Sequence, residues 1–157
     1  LLGSVFCNFC VNSQSHNEIN TISKTSELFD LKSGRLPNTS HPIAYDIHLS
    51  TNIHRLDYGF KGLCSIQIRI DADETQQLIV HSEKLKILSI SLSQEAKTLE
   101  NLNYTQEDDF LLIDTAEKLS YNQLVVLNIS YEAEIQQTGN RGMHLITYGD
   151  ALEMPRV

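Results

Sequence analysis

Apolar and polar residues alternate with a period of two along most of the chain after residue 35. Because successive side chains of a β-strand point to opposite faces, this alternation predicts half-buried strands. One of the two longest stretches covers residues 60–71, in which every second residue from Phe60 to Ile70 is apolar or glycine. Similar stretches predict further strands at residues 43–51, 85–93 and 124–135, and short apolar runs predict strands at residues 76–82 and 110–113.

The segments between these strands are short and polar, as at residues 71–75, 107–109 and 138–142, and segments of this kind turn antiparallel strands. Helical periodicity never continues for more than about ten residues, which is too short to predict a helix. The sequence therefore predicts an all-β fold, with about seven or eight strands in an antiparallel sandwich or saddle. The predicted core-facing residues include Ile43, Tyr45, Leu88 and Cys64.

Composition and charge limit the class of protein. The chain has 157 residues, of which 41% are apolar, and a chain of this size buries roughly 70% of its unfolded surface as one domain. With 12 basic and 20 acidic residues the net charge is -8, so there is no basic surface for the phosphates of a nucleic acid. We therefore expect no nucleic-acid partner.

The two ends differ in composition from the middle of the chain. Residues 1–13 are largely apolar and resemble the second part of a secretory signal peptide, with a shortened membrane anchor as the alternative. Residues 14–34 are rich in Ser, Thr and Asn and are predicted to form a linker, residues 35–148 the β-domain and residues 149–157 a tail. This organisation predicts an extracellular or cell-surface location through the secretory pathway.

Motifs for catalysis and metal binding are absent from the sequence. A helical zinc peptidase motif needs two histidines one helical turn apart with a glutamate beside the first, and neither His16 nor His81 has these neighbours. The pair Cys7 and Cys10 lacks the second ligand pair of a zinc site. We predict no catalytic, metal-binding or substrate-binding residue in this chain. Three Asn-x-Ser/Thr sequons mark candidate N-glycosylation sites at Asn38, Asn103 and Asn128.

The start of the predicted β-domain carries a longer pattern. From Arg35 to Leu49 the chain reads Arg-Leu-Pro-x-x-x-x-Pro-x-x-Tyr-Asp-Ile-x-Leu, and Phe60-x-Gly62 follows. In Phe60-x-Gly62 the ring is expected to pack, while the glycine allows a bulge or the close approach of another backbone. With Leu-Ile-Val-His ending at His81 and the segment 142–148, these motifs resemble the N-terminal β-domain of the aminopeptidase N family of zinc metallopeptidases.

The resemblance implies a domain that packs on an aminopeptidase catalytic domain in the same chain, which removes N-terminal residues from peptides. The zinc motif, the exopeptidase loop and the Gln-x-Glu segment of that family are absent here, and His144 stands where the family usually has Tyr or Phe. Zinc and peptide substrates are therefore expected only in a full-length enzyme, and this chain is predicted to be inactive alone. The alternative is a non-catalytic secreted β-sandwich binding module.

Overall fold

A computed structural model describes residues 35–95, 97–136 and 143–144. The predicted signal or anchor at 1–13, the linker at 14–34 and the tail at 149–157 lie outside these residues. The described residues contain no helix that is long and apolar enough to cross a membrane. They form eight strands: β1 (Ser40–Thr51), β2 (Gly59–Ile70), β3 (Thr75–His81), β4 (Lys86–Gln94), β5 (Lys97–Glu100), β6 (Tyr104–Glu107), β7 (Phe110–Leu119) and β8 (Leu124–Glu134).

The strands form two antiparallel sheets. Five strands make the larger sheet in the order β1-β2-β8-β4-β5, and three make the smaller sheet in the order β3-β7-β6. A short 3-10 turn at Ile53–Arg55 connects β1 to β2. The all-β class and the strand number predicted from the sequence are confirmed.

The core lies where the inner faces of the two sheets meet. Alternate residues of β2 from Phe60 to Ile70 are buried, and Cys64 among them is fully buried and forms no disulfide with a described residue. Burying one large aliphatic side chain contributes about 1.5–3 kcal/mol, so this layer is a main source of stability. The largest fully buried side chains come from both sheets: Ile66, Ile70, Leu78, Val80, Ile90, Leu92, Leu111, Ile113, Leu119, Val125, Leu127 and Ile129.

Two residues predicted to face the core are exposed because β-bulges change the alternation. Ile43 and Leu88 are 44% and 47% exposed, and the register shifts at each of them, between Pro42 and Ala44 and between Ile87 and Ser89. A bulge places two residues of one strand opposite one residue of its partner, so the later side chains change faces. The predicted inward position was therefore wrong at both sites. Tyr45 is also partly exposed, since β1 lies at the sheet edge.

The segment 142–148 is described only at Met143 and His144. The backbone N–H of Gln136 donates a hydrogen bond to the carbonyl oxygen of Met143 at 2.9 Å. Gln136 and His144 also form an isolated parallel bridge, so the chain returns beside the end of β8. The predicted turn at 138–142 lies outside the described residues.

Candidate functional site

A charged cluster crosses three neighbouring strands on the outer face of the larger sheet. Glu132 of β8 lies directly opposite Lys61 of β2 on one side and Lys86 of β4 on the other. The Lys61 Nζ atom is 3.1 Å from Glu132 Oε1, and the Lys86 Nζ atom is 3.2 Å from Glu132 Oε2. We call these three residues the Lys-Glu-Lys triad.

The two lysines stabilise the ionised form of the carboxyl group between them. A hydrogen bond from Lys61, followed by one from Lys86, lowers the pKa of Glu132 below its ordinary value. The carboxylate is thus fully charged at neutral pH and accepts one hydrogen bond from each of the two ammonium groups. Exposed ion pairs contribute little to stability because water and salt screen them. The triad therefore adds little to the stability of the sheet, and the registers of β2, β8 and β4 bring its members together.

An open depression of about 780 Å³ lies beside the triad, where β1, β2 and β8 meet. Among the residues that the structure describes, its lining carries equal numbers of lysines and carboxylates, three of each, and no histidine or cysteine. A hydroxyl nucleophile needs an adjacent base, and a metal needs several converging ligands. The chemistry of the lining therefore favours a polar surface over a catalytic centre. The charged residues of the lining are Asp57, Lys61, Lys84, Lys86, Glu132 and Glu134.

The glycine of the Phe60-x-Gly62 motif makes room for an aromatic ring. A Cβ atom at Gly62 would lie 2.2 Å from the Cζ atom of Tyr131, so no other residue fits there without displacing the ring. The Tyr131 ring meets Phe60 edge-on, with ring centroids 6.3 Å apart. Gly62 pairs regularly with both neighbouring strands, so there is no bulge at this position. The group that approaches the glycine is the side chain of Tyr131 and not another backbone.

The described histidines occupy different positions in the fold, and the contacts of three of them are with carboxylates or an aromatic ring. His81 is half-buried with its ring 4.8 Å from that of Phe110. Burial lowers the pKa of His81, while the charge of Asp109 acts in the opposite direction. His41 Nδ1 lies 2.5 Å from Asp71 Oδ2 and connects the start of β1 to the end of β2.

The described residues contain no cluster of three or more metal-ligating side chains. His48 is exposed beside Asp46, with 3.3 Å between Nε2 and Oδ1, and His54 is exposed in the 3-10 turn. The near-miss residues His16, Cys7 and Cys10 lie outside the described part of the chain. The structure thus brings none of the described residues considered for metal binding together.

The three sequons occupy different environments. Asn38 is exposed in the turn before β1, and Asn103 is exposed between β5 and β6. Asn128 is half-buried in β8, where its Oδ1 atom accepts a 2.6 Å hydrogen bond from the Ser65 hydroxyl. The two loop positions are therefore more accessible in the folded domain than the strand position.

Sequence reasoning missed the Lys-Glu-Lys triad. Its members lie far apart along the chain and meet only through the registers of β2 with β8 and of β4 with β8. The only signal was that Lys61 and Glu132 both fall on predicted polar faces. Pairing of these particular strands is a property of the fold, which alternation alone does not specify.

Comparisons with known proteins agree with the fold. The family model of the peptidase M1 N-terminal domain matches residues 41–154. Endoplasmic reticulum aminopeptidase 2 from Bos taurus is 27% identical over 135 residues, which cover 81% of this chain and 14% of that protein. The crystal structure of an M1 zinc metallopeptidase from Deinococcus radiodurans superposes with a TM-score of 0.52 at 9% identity, over 64% of this chain and 22% of that one.

The structural likeness, at this low identity, concerns the fold alone, and the chain spans about a seventh of the length of the curated relative. The family model, in contrast, covers most of the chain and the greater part of the two-sheet domain. It also agrees with the motifs between Arg35 and Gly62. The chain therefore belongs to the M1 family of zinc metallopeptidases, of which it carries the N-terminal domain.

Proposed function

We propose that this chain serves as the N-terminal domain of a zinc aminopeptidase that removes N-terminal residues from peptides. The match to the M1 N-terminal domain over residues 41–154 carries the proposal. The name of the bovine relative, an aminopeptidase, supports the reaction. In this proposal the catalytic domain supplies zinc and the reacting groups, and the β-domain is a rigid partner packed against it.

The outer face of the smaller sheet is the side we assign to the catalytic domain. Ile79, Phe110 and Leu112 share this face, opposite to the core-facing Val80 and Leu111. Ile79 and Phe110 are 9% and 4% exposed, so they are already covered within this chain, whereas Leu112 on the same face is only half-buried. Leu112 is the apolar side chain of this face that a partner can still contact, while the outer face of the larger sheet mixes serine, lysine and glutamate with the exposed Leu63 and Leu124.

We further propose that the protein enters the secretory pathway and carries N-linked glycans. The exposed positions of Asn38 and Asn103 and the name of the endoplasmic reticulum relative support this location. Asn128 is a third candidate, and a glycan there would replace its hydrogen bond to Ser65. Expression in a secreting eukaryotic host, followed by enzymatic deglycosylation and mass spectrometry of each Asn→Gln variant, tests every site.

The aminopeptidase proposal is tested on the full-length coding sequence. We expect the full-length protein to release the amino-terminal residue from short peptides, and we expect a zinc chelator to stop the reaction and added zinc to restore it. Continuation of the coding sequence without a zinc motif, together with absence of chelator-sensitive turnover, would contradict the proposal. That result would favour the alternative, a non-catalytic secreted binding module.

The proposed contact is tested by Leu112→Glu in the full-length protein. A charge in an apolar interface is costly to bury, so the variant should loosen the domain contact and increase cleavage between the domains by a protease. Gln67→Glu, a similar change on the outer face of the larger sheet, is the matched control and should leave cleavage unchanged. Equal protease sensitivity of the two variants would argue against this face.

A further inference from the structure

Strand β1 forms a long open edge of the larger sheet. Among the described residues it pairs only with β2, and its 12 residues compare with four in β5 at the opposite edge. The backbone N–H and C=O groups of an edge strand form a template for pairing with another strand.

Protection of this edge is confined to its first residues. Pro42 and the bulge at Ile43 interrupt the start of β1, and both devices are known to discourage edge-to-edge pairing. From Ala44 to Thr51 the register with β2 is regular, and this stretch contains neither proline nor lysine. Among the described residues, these eight consecutive positions thus form an edge that no proline, lysine or bulge interrupts.

The regular stretch of β1 is complementary to itself in the antiparallel direction. When two copies pair with Ile47 at the two-fold axis, Asp46 of each copy stands opposite His48 of the other, and Tyr45 stands opposite Leu49. Asp46 and His48 share one face, are both exposed, and already lie 3.3 Å apart within one chain. A register that opposes a carboxylate to an imidazole and an aromatic ring to an aliphatic side chain is a favourable cross-strand arrangement.

We propose that a second copy of this chain docks on β1, so that the larger sheet continues across a two-fold axis into its partner. The occupant follows from the charge and side-chain complementarity of residues 44–51 with themselves. Because each copy uses the same edge, the contact is isologous and closes at two copies. The assembly is a dimer and not a fibre. This inference goes beyond the proposed enzymatic role and does not depend on it.

Sedimentation of the full 157-residue chain over a range of concentrations tests the proposal, with charge reversal as the probe. We expect a reversible equilibrium between one and two chains. Asp46→Lys opposes lysine to histidine, and His48→Glu opposes two carboxylates, so each should weaken dimerisation by about tenfold across the two symmetric pairs. The combination of Asp46→Lys and His48→Glu opposes a lysine to a glutamate in both symmetric pairs and should recover dimerisation.

Glu100→Lys is the matched control, since it places a similar charge change on β5 at the opposite edge of the same sheet. It should leave the dimer unchanged, and circular dichroism checks that every variant keeps its strand content. A wild-type chain that stays monomeric would overturn the proposal. So would a dimer insensitive to both single reversals, failure of the double variant to recover, or assemblies that grow beyond two copies.

Discussion

At Gly62, any side chain would occupy the space of the Tyr131 ring. A Cβ atom there would lie 2.2 Å from Tyr131 Cζ and 2.4 Å from its hydroxyl oxygen, in a part of the core where Tyr131 is 5% exposed. Overpacking of this kind costs about 1–3 kcal/mol. We expect Gly62→Ala to lower the free energy of unfolding by this amount in a urea titration.

The matched control for this change is Gly59→Ala in the same strand. A Cβ atom at Gly59 would lie 3.3 Å from the Asp57 Oδ1 atom, which belongs to an exposed side chain that can move. Its effect should be clearly smaller than that of Gly62→Ala. Equal urea midpoints for the two variants would show that Tyr131 moves aside without cost.

The position of His81 makes stability depend on pH. Burial lowers its pKa below the ordinary value of 6.5, with Asp109 acting in the opposite direction, so the unfolded chain binds the proton more readily than the folded one. Stability rises with pH wherever the unfolded state binds more protons. The contribution of His81 is therefore complete above about pH 6.5 and declines as the pH falls below that value.

His81→Gln should remove the contribution of His81 to the pH dependence of the unfolding free energy. The difference in unfolding free energy between the wild type and the variant should be constant above about pH 7 and decrease toward about pH 5, as urea titrations at several pH values can measure. His54→Gln, the same change on an exposed turn, is the control for nonspecific effects. A difference that does not vary with pH would be inconsistent with a lowered pKa of the half-buried His81.

At the scale of strands, the Lys-Glu-Lys triad brings side chains of two neighbouring strands to one carboxyl group, and both lower its pKa. Lys61 is the largest cause of the lowered pKa of Glu132, and Lys86 is the second. Carboxyl NMR titration should therefore give Glu132 a pKa below 4.5, and Lys61→Met and Lys86→Met should each raise it. A pKa unaffected by either substitution would mean that β2, β8 and β4 are not in the described register.

How far the sequence predicts the strands depends on burial. Strands β2 and β8 each have one buried face, and their alternation predicted them nearly to their observed bounds. β5 and β6 have four residues each and are almost entirely exposed, so no apolar alternation marks them. The bulges at Ile43 and Leu88 are backbone features that no spacing of apolar residues reveals.

The candidate site was less predictable than the strands for a related reason. Residues on a polar face obey no strict pattern, so alternation shows that Lys61 and Glu132 are outward but not that they meet. Gly62 was recognised as a point of close approach, while its partner Tyr131 lies on another strand and depends on the register of β2 with β8. Contacts between distant residues follow from the sheet order, which the local sequence does not contain.

At the scale of the whole molecule, the described residues are organised around one core that both sheets share. Apolar side chains from β2, β4 and β8 pack with others from β3 and β7, and the described residues hold no cluster of metal ligands. A ligand that binds only the folded state at about 100 times its dissociation constant stabilises that state by about 2.7 kcal/mol. For a chain of this size such a gain would raise the thermal midpoint by about 5–10 °C.

We expect the thermal unfolding midpoint of the isolated chain to be the same, within about 1 °C, with added zinc and with a chelator. A metal bound to the folded state would instead raise the midpoint in zinc. The same preparation should release no amino-terminal residue from peptide substrates, because the chain lacks the zinc-binding motif that would polarise the peptide carbonyl and activate water. Scanning calorimetry and a fluorogenic aminoacyl assay on one sample measure both. A zinc-dependent rise of several degrees, or chelator-sensitive hydrolysis, would place a metal site within these 157 residues and so contradict a division of labour in which the catalytic domain alone holds the zinc.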